Sequence, residues 1–150
     1  MYGFVEDSAK YLHDLLDDNK DRLGIKYVGF GDERLLGEYP ACVITSEPLD
    51  RTIHGTQQFE VILRCSIWIY HAKLSVGHKI RTLEDMELAR EVTKLIHADY
   101  SMKGNIVFGH IDGETPGVVN RLIGGKGQAV IGTRLAWVGR SIQRFEEAAE

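Results

Sequence analysis

Cysteine is nearly absent from this chain. Cys42 and Cys65 are the only two, each inside an apolar, strand-like run where a thiol behaves as a small hydrophobe, so no disulfide framework is expected. No run approaches the eighteen or so apolar residues of a membrane span. The N-terminal stretch MYGFVEDSAKYLHDLL is acidic and periodic, without the basic start and apolar run of a signal peptide, so a reducing, cytoplasmic site of synthesis is expected. Excess positive charge is missing too. With 18 Lys and Arg against 22 Asp and Glu, a net charge of -4, strong sequence-independent binding to nucleic acid by the surface as a whole is disfavoured. There is no internal repeat and no linker. What remains, 43% hydrophobic and 27% charged over 150 residues, is the balance of a globular chain, and residues 1–150 are expected to form a single domain.

Signatures of catalysis are equally scarce. The stretch GGKGQ at residues 124–128 resembles a phosphate loop only superficially: position 120 is Asn120, not glycine, and no Ser or Thr follows Lys126. A turn ahead of a strand accounts for it. The histidines His13, His54, His71, His78, His97 and His110 lack helical i, i+4 pairing and CxxC partners, so zinc spacing is absent. Cys65 sits on an apolar strand face, which favours packing over nucleophilic chemistry. No catalytic residue, metal or cofactor is expected.

What is present is a long two-faced strand at residues 57–71, QQFEVILRCSIWIYH. Phe59, Val61, Leu63, Cys65, Ile67 and Ile69 alternate onto one face. The other face carries Gln58, Glu60, Ile62, Arg64, Ser66, Trp68 and Tyr70. Fully extended, such a strand runs roughly 50 Å at about 3.3 Å per residue, whereas a compact domain of this length is about 40 Å across. The strand must bend or project. A second face that mixes Ile62, Trp68 and Tyr70 with charges suits coverage by a partner.

Around it the chain reads as α-β-β-β-α-β-β, an α+β single domain with an antiparallel or mixed sheet, a long hairpin arm and two helices packed on one face. Residues 4–23 place Val5, Ala9, Leu12, Leu15, Leu16 and Leu23 on a helical stripe, closed by Gly24. Strands follow at residues 25–30 and 41–47, the second ended by Pro48. The segment PLDRTIHGT then connects to the long strand, making an extended hairpin. Thr82 opens a second helix with Asp85 at capping-box spacing, and Leu88, Ala89, Val92, Leu95 and Ile96 form its inward stripe. Residues 105–112 read as a strand, and residues 113–127, with five glycines and a proline, as a mobile loop or hairpin tip. The last strand spans residues 128–145, with Gly132 and Gly139 as natural bulge sites.

Contact candidates follow from this layout. Arg51 and His54 in the arm, with Arg121 and Lys126 on the glycine-rich segment, can meet phosphate, DNA or an acidic neighbour, or stay solvated. Trp68 and Tyr70, next but one on the same face, are the aromatic anchors, with coverage by helix 1 or the last strand as the alternative. Ile62, Arg64 and Arg134 complete the candidate interface.

The phrases LLDDNKDRLGIK, YPACVITSEP, DRTIHGTQQFEVILRCSIWIYHA, LEDMELAREVTKLIHADY, GNIVFGHI and VIGTRLAWVG, in this order over nearly the whole chain, resemble the tail terminator proteins of long-tailed bacteriophages, also called tail completion or neck proteins. The resemblance implies a virion protein forming a ring, commonly a hexamer. The ring caps the finished tail tube, stops its polymerisation and docks the head-side connector or stopper protein. Its expected partners are its own copies, the major tail tube protein, that connector, and double-stranded DNA passing through the lumen without sequence-specific binding; no membrane and no enzymatic reaction are implied. The glycine-rich residues 113–127 match no family feature. Two other readings stay open. One is a small enzyme or ligand-binding domain, which predicts a pocket gathering at least two of His71, His78, His97, Cys65 and Asp85. The other is a nucleic-acid binder with strongly salt-dependent affinity.

Overall fold

In a computed structural model, described over residues 4–31, 39–47, 50–53, 58–73, 83–104, 106–123 and 126–144, the chain forms nine elements. They are α1 (Phe4–Asp18), α2 (Lys20–Leu23), β1 (Tyr27–Phe30), β2 (Ala41–Ser46), β3 (Asp50–Ile53), β4 (Gln58–Lys73), α3 (Leu83–His97), β5 (Phe108–Ile123) and β6 (Lys126–Arg144). The strands make one mixed sheet of order β1-β2-β4-β6-β5, with β3 pairing β4 beyond the end of β2. Only β1 and β2 run parallel. This is the expected α+β class.

The first helix breaks once. Asn19 turns its side-chain amide back to the Leu15 carbonyl at 2.8 Å, which separates α1 from α2. Gly24 then ends the helical run at φ +75°, a left-handed conformation that costs a side-chain-free residue nothing, and the Ile25 N–H returns to the Lys20 carbonyl at 2.8 Å.

Periodicity decides which face is buried. Val61, Leu63, Cys65, Ile67 and Ile69 are all at most 2% exposed, and they form one core with Ala9, Leu12 and Leu16 of α1 and Ala89, Val92 and Ile96 of α3. Both helices therefore cover the same sheet face. Each fully buried aliphatic side chain contributes about 1.5–3 kcal/mol, so this layer holds the domain. Burial also pushes the Cys42 thiol up to about 12, and burial with the Glu47 charge does the same to Cys65. Neither thiol is poised to react.

Two expectations are refined. Of the loop or hairpin tip read over residues 113–127, the hairpin is the one that forms, and ladder takes up most of the segment: β5 continues to Ile123, β6 begins at Lys126, and the register pairs Ile123 with Lys126. Only Gly124 and Gly125 stand between the strands. The proline is accommodated because β5 is an edge strand, where one side has no ladder to break. One irregularity does fall at Gly132, with its extra residue on the partner strand, and none falls at Gly139. The extra residues are His71 on β4, opposite the Gly132 and Ile131 step, and Asp112 on β5, opposite the Trp137 and Ala136 step. Gly139 faces Gly109 across the β5–β6 ladder instead, and a Cβ at Gly109 would lie 2.6 Å from the Trp137 ring. The pair clears space for that indole, which is 1% exposed. The capping box at Thr82 lies outside the described residues.

The long strands solve their length by pairing out of step. β4 is flanked by β6 from Gln58 to Lys73, whereas β6, nineteen residues long, spans roughly 60 Å at about 3.3 Å per residue. At one end β3, β4 and the last residues of β6 form a three-stranded ribbon beyond the start of β5. At the other, residues 120–123 and 126–129 pair only with each other, past the end of β4. The sheet has two unlike ends. No described helix is long and apolar enough to cross a membrane.

Candidate interaction surface

The face of the sheet turned away from the helices is polar at its rim and aromatic in the middle. Pairing sets its rows. Val43, Trp68 and Arg134 stand side by side on β2, β4 and β6, and Ala41, Tyr70 and Gly132 form the next row. Three of the expected contact residues thus converge: Trp68, Tyr70 and Arg134.

Their geometry is tightly specified. The rings of Trp68 and Tyr70 lie 6.3 Å apart and nearly parallel at 6°, and the Arg134 guanidinium sits 5.8 Å from the Trp68 ring centre, within the range of a cation–π contact. The indole N–H donates to Thr45 Oγ1 at 3.3 Å. Arg134 Nε donates to Ser66 Oγ, and Ser66 Oγ to Glu47 Oε1, each at 2.8 Å; Arg134 Nη2 and Glu47 Oε1 are 3.6 Å apart. This chain fixes the guanidinium over the indole, because a planar charged fork with two partners loses rotamer freedom. The two aromatics differ in exposure. Tyr70 is 3% exposed and packs with Ala41, Val43 and Val130 in a second apolar cluster, while Trp68 lies half-buried at its margin. Trp68 alone of the pair opens to solvent.

Beside Trp68 lies a slot of about 190 Å³. Gly117 and Gly132, register partners, make its floor. The row of Trp68, Arg134 and Thr115 lines it alongside, together with Pro116 and Val118 of β5. The slot exists because neither floor residue has a side chain; a Cβ at Gly117 would meet nothing within 4 Å.

The remaining candidates are more scattered. Ile62 is half-buried and Arg64 exposed, opposite Arg140 and Val138. Arg51 is in β3, paired with Val61, with its side chain outside the described ones, and His54 lies outside the described residues. Arg121 and Lys126 are in the β5–β6 ladder, opposite Gln128 and Ile123, and their side chains are likewise not described.

Sequence reasoning missed a second aromatic group. Phe108 opens β5 at 45% exposure, its ring 5.7 Å from Tyr100 and 5.2 Å from His110. The signal was there: Phe108 and His110 alternate on one face of a strand that had been expected. Arg140, opposite Phe108 in the ladder, is ion-paired through Nη2 to Glu60 of the neighbouring row at 2.6 Å.

His71 and Asp85 do meet. His71 Nδ1 lies 3.5 Å from Asp85 Oδ1, and His71 Nε2 lies 2.8 Å from Thr133 Oγ1. All three are buried or nearly so, and none lines the slot or the two shallow grooves beside α3. His97 sits at the far end of α3, accepting the Ile111 N–H at 2.9 Å. Among the described residues no group of three His, Cys, Asp or Glu side chains could hold a metal ion.

No family model matches the chain, and no curated protein matches it. Among solved structures, the nucleotide-free catalytic domain of the histidine kinase ThkA is similar at a TM-score of 0.27 and 10% identity, covering 87% of this chain and 91% of that one. A second nucleotide-free form gives 0.24 and 9%, covering 91% of each. Scores this low carry no argument about fold or activity.

Proposed function

We propose that this protein is a ring-forming structural subunit of a phage neck, a tail terminator that caps the tail tube and receives the head-side connector. The observation that carries the proposal is the two-ended sheet. A head-to-tail ring needs two different complementary surfaces on each subunit, and the offset of β4 and β6 leaves a three-stranded ribbon at one end and the β5–β6 hairpin at the other. The aromatic and arginine-rich outer face suits a buried contact, since Trp, Tyr and Arg dominate interface energetics. A net charge of -4 suits a conduit, where many phosphate contacts would oppose the passage of DNA.

Native mass measurement and electron microscopy of the purified chain, with and without tail tubes, test this reading. A closed ring is expected; a chain that stays monomeric even on tubes overturns it. Trp68→Ala should weaken assembly about tenfold or more, the scale of an interface hot spot, while lowering the melting temperature of the isolated subunit only slightly. Loss of both in equal measure would mark Trp68 as ordinary packing.

A further inference from the structure

Both bulges in the described ladders lie at an end of α3, and a histidine ties each of them to that helix. At the start of α3, His71 is itself the extra residue of the β4 bulge, and its Nδ1 lies 3.5 Å from Asp85 Oδ1 in the first turn of the helix. At the other end His97 closes α3. Its Nε2 takes the Ile111 N–H at 2.9 Å, one residue before the extra Asp112 of the β5 bulge. The two contacts answer a proton in opposite ways. A backbone N–H can only donate, so His97 Nε2 must present its lone pair and the ring proton must sit on Nδ1. A second proton, on Nε2, sets two donors against each other and breaks the bond. An imidazolium at His71 faces a carboxylate instead, and that contact survives.

We infer that His97 is a proton-released clasp: neutral, it fastens the end of α3 to the β5 bulge, and protonated, it lets that end go while the start of α3 stays held at His71. Bulges redirect a strand and its side chains, so a tie made there sets how the helix sits on the sheet. Imidazole is the side chain whose charge changes between about pH 5 and 8, and His97 is exposed, so a proton reaches it without unfolding. The charged groups around the clasp have partners of their own. On α3, Lys94 lies 3.8 Å from Glu91, and in the turn that follows Asp99 accepts from Tyr11 of α1 and from the Lys103 N–H. On β5, His110 and Asp112 flank Ile111 and stand 3.8 Å apart. β6 sets Trp137 opposite Ile111, with Arg140 further along, ion-paired to Glu60 of β4. His110 is thus a second histidine at this bulge, to be separated by experiment. Release is local, because on the same strand the Gly109 N–H keeps its bond to the Tyr100 carbonyl at 2.7 Å, and neither of those groups titrates.

The test is amide hydrogen exchange of the purified chain, followed by nuclear magnetic resonance at about pH 8 and about pH 5, with each rate referred to that of an unstructured peptide at the same pH. Protection at Ile111 should fall about fivefold or more on acidification, the scale of one local hydrogen bond, while Ala89 in the first half of α3 keeps its own. In His97→Ala the protection of Ile111 should be low at both pH values. In His97→Gln, whose amide oxygen accepts without titrating, the acid response should vanish, and His110→Gln should respond as wild type does. One readout needs no variant: the imidazole nitrogen shifts of His97 in wild type at about pH 8 should report the proton on Nδ1. A proton on Nε2 overturns the clasp. So does equal protection of Ile111 in wild type at the two pH values, an equal loss at Ala89, or an acid response that disappears in His110→Gln and persists in the His97 variants.

Discussion

Gly139 and Gly109 show how much of the core depends on what is not there. Facing each other across the β5–β6 ladder, they leave the space in which Trp137 is buried to 1% exposure. Gly139→Ala would set a methyl against that ring, an overpacking expected to cost about 1–3 kcal/mol in urea denaturation. Gly117→Ala, with nothing within 4 Å of its new atom, should stay within about 0.5 kcal/mol. Equal effects would mean that the indole moves aside freely. In the sequence Gly139 reads as a bulge site, and the reason it is not one is instructive. A glycine in a strand announces a bend or a close approach but not which of the two, and the approaching group here is a tryptophan two residues away on the same strand.

At the scale of elements, the tie between α1 and the turn after α3 has the most readable chemistry. Tyr11 Oη donates to Asp99 Oδ2, and the Lys103 N–H donates to Asp99 Oδ1 at 3.0 Å. The hydrogen bond from Tyr11, followed by that from Lys103, holds the Asp99 carboxyl below its ordinary 3.8. Its contribution to stability is therefore full above pH 3.8 and is lost as pH falls through the lower native value. Burial, then the bond to Asp99, pushes Tyr11 from 10.0 up to about 12, so its contribution is full below pH 10.0 and is lost as pH rises through about 12. Tyr11→Phe should cost about 1 kcal/mol at neutral pH, the lower range for a partly exposed bond. The cost should narrow in urea titrations run below pH 3.8; a difference independent of pH would remove Asp99 from the account. The helices and β4 were legible because burial imposes a period, as Val61 to Ile69 and Ala89, Val92 and Ile96 show. β3 and the second half of β5 were not. Asp50–Ile53 is four residues long and is held by pairing with β4, too short for a period to emerge. Residues 113–123 carry glycines and Pro116 that local propensity assigns to a turn, and a long partner strand overrides that preference. The aromatic slot was half legible: Trp68 and Arg134 stood out by type, but the glycine floor appears only when β5 is laid against β6.

Across the whole molecule, the ladder between β4 and β6 joins residues near position 58 to residues near position 144, with α3 and β5 in between. Contacts so distant in sequence close a large loop before they return any stabilisation, which puts folding in the range of milliseconds to seconds or slower. Stopped-flow refolding from urea should show this, and a microsecond relaxation would contradict it. The β5–β6 hairpin, by contrast, closes on two residues and can form early. During synthesis the edge of β4 that β6 covers waits bare until β6 has left the ribosome. A chain that stalls before β6 therefore displays a bare edge along the sixteen residues of β4, open to pairing with another unfinished chain. The arrival of β6 thus closes the one edge of β4 that β2 and β3 leave open.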